Sequence, residues 1–224
     1  MPQGEQYSMT FLHNDPDLAN TTFAAFAKPI YDIQNPFGIA WFSHSLNYSH
    51  WVTFYWELDW GYAYSEHGFS QGKKWVSGGY QYADPQDKAT CSMNFYYSNG
   101  DFDWESDYVH PPSPDRDKLW VTFDPSVEDH PATHGLCLST SSAESNQRDE
   151  FQLIPIIAGD VQARMIQNFT LDPTYFVTVG SYKQGQMASM SEILPLQQVQ
   201  YAEGVKDMTA ELVKGNTWKV YPSQ

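Results

Sequence analysis

Alternation is strongest between Trp51 and Tyr64, where Val52, Phe54, Trp56, Leu58 and Trp60 are apolar and Thr53, Tyr55, Glu57, Asp59 and Gly61 stand between them. A period of two is the mark of an extended strand, because successive side chains leave opposite faces of the backbone. The pattern predicts one face turned to a core, with Glu57 and Asp59 beside Tyr55 on the other. A strand this long is expected to bend near Gly61, where a missing side chain permits a bulge.

Further β-like runs lie at 7–12, 38–42, 74–82, 91–97, 102–109, 119–123, 135–140, 151–157, 161–169, 175–182 and 218–221. Turn formers separate them: Asn14-Asp15-Pro16, Asn35-Pro36, Asp84-Pro85, Asn99-Gly100, Pro111-Pro112-Ser113-Pro114, Ala158-Gly159-Asp160 and Asp172-Pro173. Asn99-Gly100 is the clearest hairpin signal, since both residues accept the positive φ of a type I′ turn. Helix formers at Leu18 to Ala27 and a short turn at Met187 to Leu194 are the only helical expectations, and the Ser-rich stretch Ser139 to Arg148 reads as a surface loop. Short strands with regular punctuation predict an all-β domain over residues 1–224, an antiparallel β-sandwich or jelly-roll-like barrel with few short helices.

The chain carries 12 Lys+Arg against 27 Asp+Glu, a formal charge of −15. Such a surface repels phosphate backbones and anionic lipid, which argues against nucleic acid and leaves neutral small molecules as the expected partners. Arg116, Arg148 and Arg164 are the only guanidinium donors, too few for a family of phosphate clamps. No apolar run is long enough for a membrane span, and the start MPQGEQYSMTF lacks the basic and apolar regions of a signal peptide, as a chain that has lost its leader would. Three sequons, at Asn20, Asn47 and Asn168, are candidate glycosylation sites and point to secretion or the lumen of the secretory pathway. The two cysteines, Cys91 and Cys137, are read as one disulfide of an exported β domain, with two buried thiols as the other reading. Nothing in the sequence sets the oligomeric state.

Catalytic motifs are few. Neither a Gly-x-Ser-x-Gly elbow nor a His-Glu-x-x-His pair, a Walker loop or a Gly-x-Gly-x-x-Gly fingerprint occurs. Glu57 with Asp59, or Glu66, Asp101, Asp103 and Glu105, supply carboxylates for a glycosidase-like pair, although a solvated polar face explains them as well. The tightest histidine groupings are His44 with His50, Glu66 with His67, and Asp129-His130 with His134, of which the last is the one a metal site could use. Pro131 forbids the helix that would align them on a metal, and no metal site is expected. His67, just past the aromatic strand, is placed to donate a hydrogen bond at a pocket mouth.

Aromatic side chains are in excess, with 8 Trp, 15 Tyr and 13 Phe. Much of that surface must be core. However, Tyr62, Tyr64, Tyr80, Tyr82, Tyr96, Tyr97, Trp104 and Tyr108 each bring a polar atom that needs a partner when buried, and an apolar-walled ligand site is one way to supply it.

The segments VTFYWELDWGYAYSEHG at 52–68 and PTYFVTVGSYKQGQMASMSEI at 173–193 resemble small, secreted, β-rich proteins of filamentous fungi. These include the cofactor-free pericyclases, among them hetero-Diels–Alderases that join a tropolone-type quinone methide to a humulene-type sesquiterpene. The resemblance implies a cycloaddition needing no cofactor, metal or nucleophile, only a shaped aromatic pocket and one or two donors on a carbonyl. By residue type, Tyr62, Tyr64 and His67 are the candidate catalytic donors, and Trp56, Trp60, Trp75 and Trp104 the candidate substrate-binding walls. For Trp56 and Trp60 the same alternation also reads as plain core. The other functional class left open is a secreted carbohydrate-binding lectin, in which exposed Trp and Tyr stack on sugar faces.

Overall fold

The computed structural model describes residues 5–28, 33–112, 117–141, 151–171, 174–193 and 196–223. Its strands, in chain order, are β1 (Gln6–Asn14), β2 (Asn20–Ala27), β3 (Phe37–Ile39), β4 (Phe42–Asn47), β5 (Trp51–Ser65), β6 (Gly79–Ala83), β7 (Ser92–Ser98), β8 (Asp101–Ser106), β9 (Lys118–Phe123), β10 (Thr133–Ser141), β11 (Phe151–Asp160), β12 (Ile166–Thr170), β13 (Thr174–Val179), β14 (Met187–Ser189), β15 (Gln197–Gln200), β16 (Asp207–Val213) and β17 (Thr217–Pro222). A short helix, α1 (Met190–Ile193), and a helical turn at Pro125–Val127 complete the regular structure of the described residues. The fold is all-β, as the alternation predicts.

The long alternating segment is β5, and it organises the largest sheet, in the order β14-β3-β11-β10-β5-β1-β16-β17. Because β5 is 15 residues long, one edge holds β1 along its first half and β6 along its second, while β10 follows the other edge. The irregularity expected at Gly61 sits slightly earlier: Leu138 pairs with Trp60 but Ser139 with Glu57, leaving Leu58 and Asp59 as the extra residues of a bulge. Gly61 has a different task, since a Cβ there would stand 2.5 Å from Leu153 Cδ1. Two smaller sheets, β12-β9-β7-β8 and β15-β13-β2-β4, complete the sandwich. Most pairings are antiparallel, but β1–β16 and β7–β9 are parallel.

One continuous cluster of buried side chains joins the inner face of the large sheet to both small ones. At its first end Trp56 donates its indole N–H to the Tyr175 hydroxyl of β13 at 3.1 Å, and Trp41, Phe42 and Tyr201 pack around the pair. At its second end Tyr62 and Tyr64 face Phe95, Phe102 and Phe169 of the other small sheet. The Asn99-Gly100 turn joins β7 to β8 with φ of 55° and 93°, as its composition predicts.

The helix expected at Leu18 to Ala27 is instead β2. Phe23, Ala25 and Ala27 face the main core while Ala24 and Phe26 join a separate cluster with Ile193, so both faces are buried and no alternation is visible. The expected run at 74–82 shrinks to β6, because residues 72–75 form a strap tied down by Trp75 N–H to Gly185 O at 2.9 Å and Met187 N–H to Lys73 O at 2.8 Å. The run at 161–169 breaks at Arg164, whose φ is +65°, before β12 begins. Of the loop expected at Ser139 to Arg148, the first three residues extend β10, and residues 142–148 lie outside the described residues, as do 113, 114, 172 and 173 of the expected turns.

The disulfide expectation is overturned: Cys91 and Cys137 are both free, buried thiols. Cys91 belongs to the main core, whereas Cys137 lies in a small cluster with Ala63, Trp75 and Ala158. Along β10, Leu136 and Leu138 face the main core, so Cys137 between them points to the opposite side of the sheet. A β-sheet therefore separates the sulfurs. Burial raises both thiol pKa values, Cys137 well above the ordinary range. Both thiols are expected to resist a thiol-exchange reagent in the native state and to react in denaturant, and reductant should leave Tm unchanged. A drop equivalent to about 2–5 kcal/mol on reduction would instead reveal a disulfide.

Candidate functional site

The sequence-derived site residues separate into three places. Trp56 is entirely buried at the Tyr175 end of the core, and Trp60 is buried in the same cluster. Trp75 lies across the sheet beside Cys137 and donates its indole N–H to Thr133 Oγ1 at 2.8 Å. Thr133 Oγ1 in turn donates to the carbonyl of His67 at 3.0 Å, so it is the His67 backbone that is engaged here, while the residue as a whole is exposed. Tyr62, Tyr64 and Trp104 do come together, at the second end of the core.

Each of those three is held by specific contacts. The Tyr62 hydroxyl, wholly buried, donates toward the carbonyl of Trp120 at 3.2 Å, with the carbonyls of Thr90 and Cys91 each at 3.4 Å. Burial raises its pKa well above the ordinary value, and its single proton is spent tying β5 to the starts of β7 and β9. Tyr64 donates to Asp101 Oδ1 at 3.0 Å; burial, then that carboxylate, push its pKa up to about 12. Its ring lies between Phe95, Phe102 and Trp104 and against Gly78, where a Cβ would stand 2.6 Å from the ring. Trp104 is half-buried, and through it the cluster reaches the surface.

The centre of the cluster is His134 of β10, fully buried among the rings of Phe95, Tyr62, Phe123, Phe169 and Trp104, at centroid distances of 5.3, 5.6, 5.6, 5.8 and 6.2 Å. Burial pushes its pKa down to about 3, so the imidazole is neutral at physiological pH. Trp104 donates its indole N–H to His134 Nε2 at 3.3 Å, an assignment that leaves the imidazole proton on Nδ1. That Nδ1 is buried, and so are both amide atoms of Gln167 on β12. Gln167 faces His134, and side-chain hydrogen bonding from it acts against burial to raise the proton affinity of the imidazole. Each buried polar atom costs about 1–3 kcal/mol if nothing meets it. The arrangement is therefore a neutral donor and an amide inside aromatic walls, with no nucleophile among them. A neutral donor of this kind polarises a carbonyl oxygen that is set against it.

A family model described as RhiA matches residues 4–223. The chain belongs to the RhiA family. No curated protein and no solved structure matches it. The span matched by the RhiA model includes both segments that carry the resemblance to fungal pericyclases. In this RhiA-family chain the sequons at Asn20 and Asn47 are exposed on neighbouring strands, and Asn20 Nδ2 donates to Asn47 Oδ1 at 3.0 Å. Asn168 is half-buried on β12.

His134 and Gln167 were not among the expected site residues, although the sequence holds a signal for both. His134 alternates with Leu136 and Leu138, and Gln167 with Phe169. A polar residue on the apolar face of a strand is the pattern that marks a buried polar group. His130, grouped with His134 in sequence, turns away and stacks on Tyr97 at 3.4 Å. Among the described residues no group of three His, Cys, Asp or Glu converges as metal ligands.

Proposed function

We propose that the chain binds neutral, carbonyl-bearing aromatic or terpenoid molecules at the Tyr64–Trp104–His134 cluster, and acts there as a cofactor-free biosynthetic enzyme of the pericyclase kind. The observation that carries the reading is the uncharged polar pair, His134 and the Gln167 amide, buried together inside aromatic walls. In a hetero-Diels–Alder addition of a quinone methide to an alkene, three π bonds become one and two σ bonds form. No atom leaves, and no proton need be transferred. What a protein supplies is orientation and a donor for the oxygen on which charge develops. A His134 that is neutral across the physiological range provides such a donor without protonating a sensitive quinone methide.

In this reading the chain is secreted, or held in the lumen of the secretory pathway, with Asn20 and Asn47 as its most accessible glycan acceptors. The test is a product assay: an o-quinone methide released in situ, with humulene as the alkene, with and without protein. Adduct formed faster than background and enriched in one enantiomer is the expected result, and the enrichment should fall in His134→Phe. Racemic adduct at the background rate would retire the enzymatic reading.

A further inference from the structure

We propose that the outer face of β5, β1, β16 and β17 is a second ligand site, which docks an extended, neutral glycan. This inference is independent of the reading above, since it concerns the opposite side of the large sheet.

Pairing in register lays alternate side chains out in rows. Thr53, Thr10, Thr209 and Tyr221 form one row, and Trp51, Leu12, Glu211 and Lys219 the next. On the other side of the threonine row, Tyr55 lies opposite Ser8 and Asp207. Inward-facing Met9, Phe11, Met208, Ala210 and Leu212 are buried, so these rows lie on the outer side of the sheet, where Trp51 and Tyr221 are exposed while Ser8 and Thr209 are covered by their neighbours. Trp51, at 68% exposure, is the most exposed large hydrophobic side chain of the described residues. One exposed indole is unremarkable by itself. Here it ends a lattice of oriented oxygen atoms.

Those atoms are fixed by their neighbours. Glu211 accepts from Asn14 Nδ2 at 2.7 Å through Oε1 and from the Tyr221 hydroxyl at 3.2 Å through Oε2, which holds its carboxylate in place. The Thr10 and Thr53 hydroxyls bond each other at 2.8 Å, and Ser8 donates to Asp207 Oδ1 at 2.5 Å. Asp207, Glu211 and the half-buried Thr10 and Thr53 hydroxyls still have lone-pair capacity for a further hydroxyl donor, whereas Ser8 is buried and serves only to hold Asp207. Aromatic faces beside carboxylate and hydroxyl acceptors match the chemistry of a sugar, whose C–H face stacks while its hydroxyls donate.

Spacing and charge narrow the ligand. Trp51 and Tyr55 share a face of β5 four residues apart, which is about 13 Å at strand rise. A single sugar cannot reach both, whereas an oligosaccharide laid along β5 does. Glu57, Asp207 and Glu211 outnumber Lys219 on this face, and the chain as a whole carries −15, so uronate and sulfated glycans are repelled.

Intrinsic fluorescence titrations with cellohexaose, laminarihexaose and chitohexaose, with glucose and carboxymethyl cellulose as controls, test the proposal. Saturable binding of at least one neutral hexasaccharide is expected, tighter than glucose and with no binding of the anionic polymer. Trp51→Ala should weaken it by at least about tenfold while circular dichroism and Tm stay unchanged, because this indole is outside the core. Tyr221→Phe, which frees one oxygen of Glu211, should weaken it less. The proposal is overturned if none of the three hexasaccharides binds, if binding survives Trp51→Ala, or if the anionic polymer binds equally. Sedimentation showing a dimer that Trp51→Ala dissociates would also overturn it, since the face would then belong to a second copy.

Discussion

Trp56→Ala is expected to destabilise the protein by about 3–5 kcal/mol, the largest loss of any single tryptophan truncation proposed for this chain. The indole is fully buried, meets Trp41 and Tyr201 edge-on at centroid distances of 5.3 and 5.5 Å, and donates to Tyr175. Its removal leaves a cavity between two sheets that cannot collapse without breaking strand pairing. The measurement is urea unfolding, read as a lower midpoint at an unchanged slope. Trp51→Ala, on the same strand, should stay within about 0.5 kcal/mol of the parent. Equal effects at the two positions would contradict the assignment of Trp56 to the core and would restore it as a candidate ligand wall.

The second large effect is a dependence on acid carried by His134. In the folded chain its pKa lies at about 3 rather than the ordinary 6.5, because burial disfavours the charged ring. Below pH 6.5 the unfolded chain therefore binds a proton that the native chain refuses. Stability from this residue is complete above about pH 6.5 and is lost as pH falls toward 3, by about 1.4 kcal/mol per unit and about 3 kcal/mol by pH 4. His134→Phe cannot bind that proton in either state. The gap in unfolding free energy between parent and His134→Phe, measured in urea at pH 7, 5.5 and 4, should thus shift in favour of the variant as pH falls. Glu57 and Asp59, whose pKa values burial raises, are present in both proteins and cancel in the comparison. A gap that stays constant with pH would mean that His134 takes up a proton in the fold as readily as in the unfolded chain, against the burial that holds its pKa down.

Much of the fold was legible because half-buried strands advertise themselves. β5 could be read directly, and so could the β7–β8 turn, whose Asn99-Gly100 pair needs no tertiary context to prefer positive φ. The reading failed where local pattern and burial part company. β2 is covered on both faces and shows no alternation, and its alanines read as helix formers. β15 and β16 were missed as well; in β16 the inward positions Met208 and Ala210 bracket Thr209, and small residues give a weak signal.

What the sequence determined by itself was the class of fold, the acidic surface and the aromatic stock, all sums or periodicities over neighbouring residues. Tertiary structure alone decided which aromatic side chains are core, which are surface and which surround a buried donor. Alternation already separates Trp56 and Trp60 from Trp51, but nothing local separates Tyr62 and Trp75, buried in different clusters, from the exposed Tyr80 and Tyr82. The two cysteines were compatible with a bridge until the sheet between them was placed. His134 meets Trp104 and Gln167 across chain separations that no local pattern encodes, because their encounter depends on how two sheets face each other. Periodicity determines which side of a strand a residue occupies; only the packing of sheets determines what stands opposite.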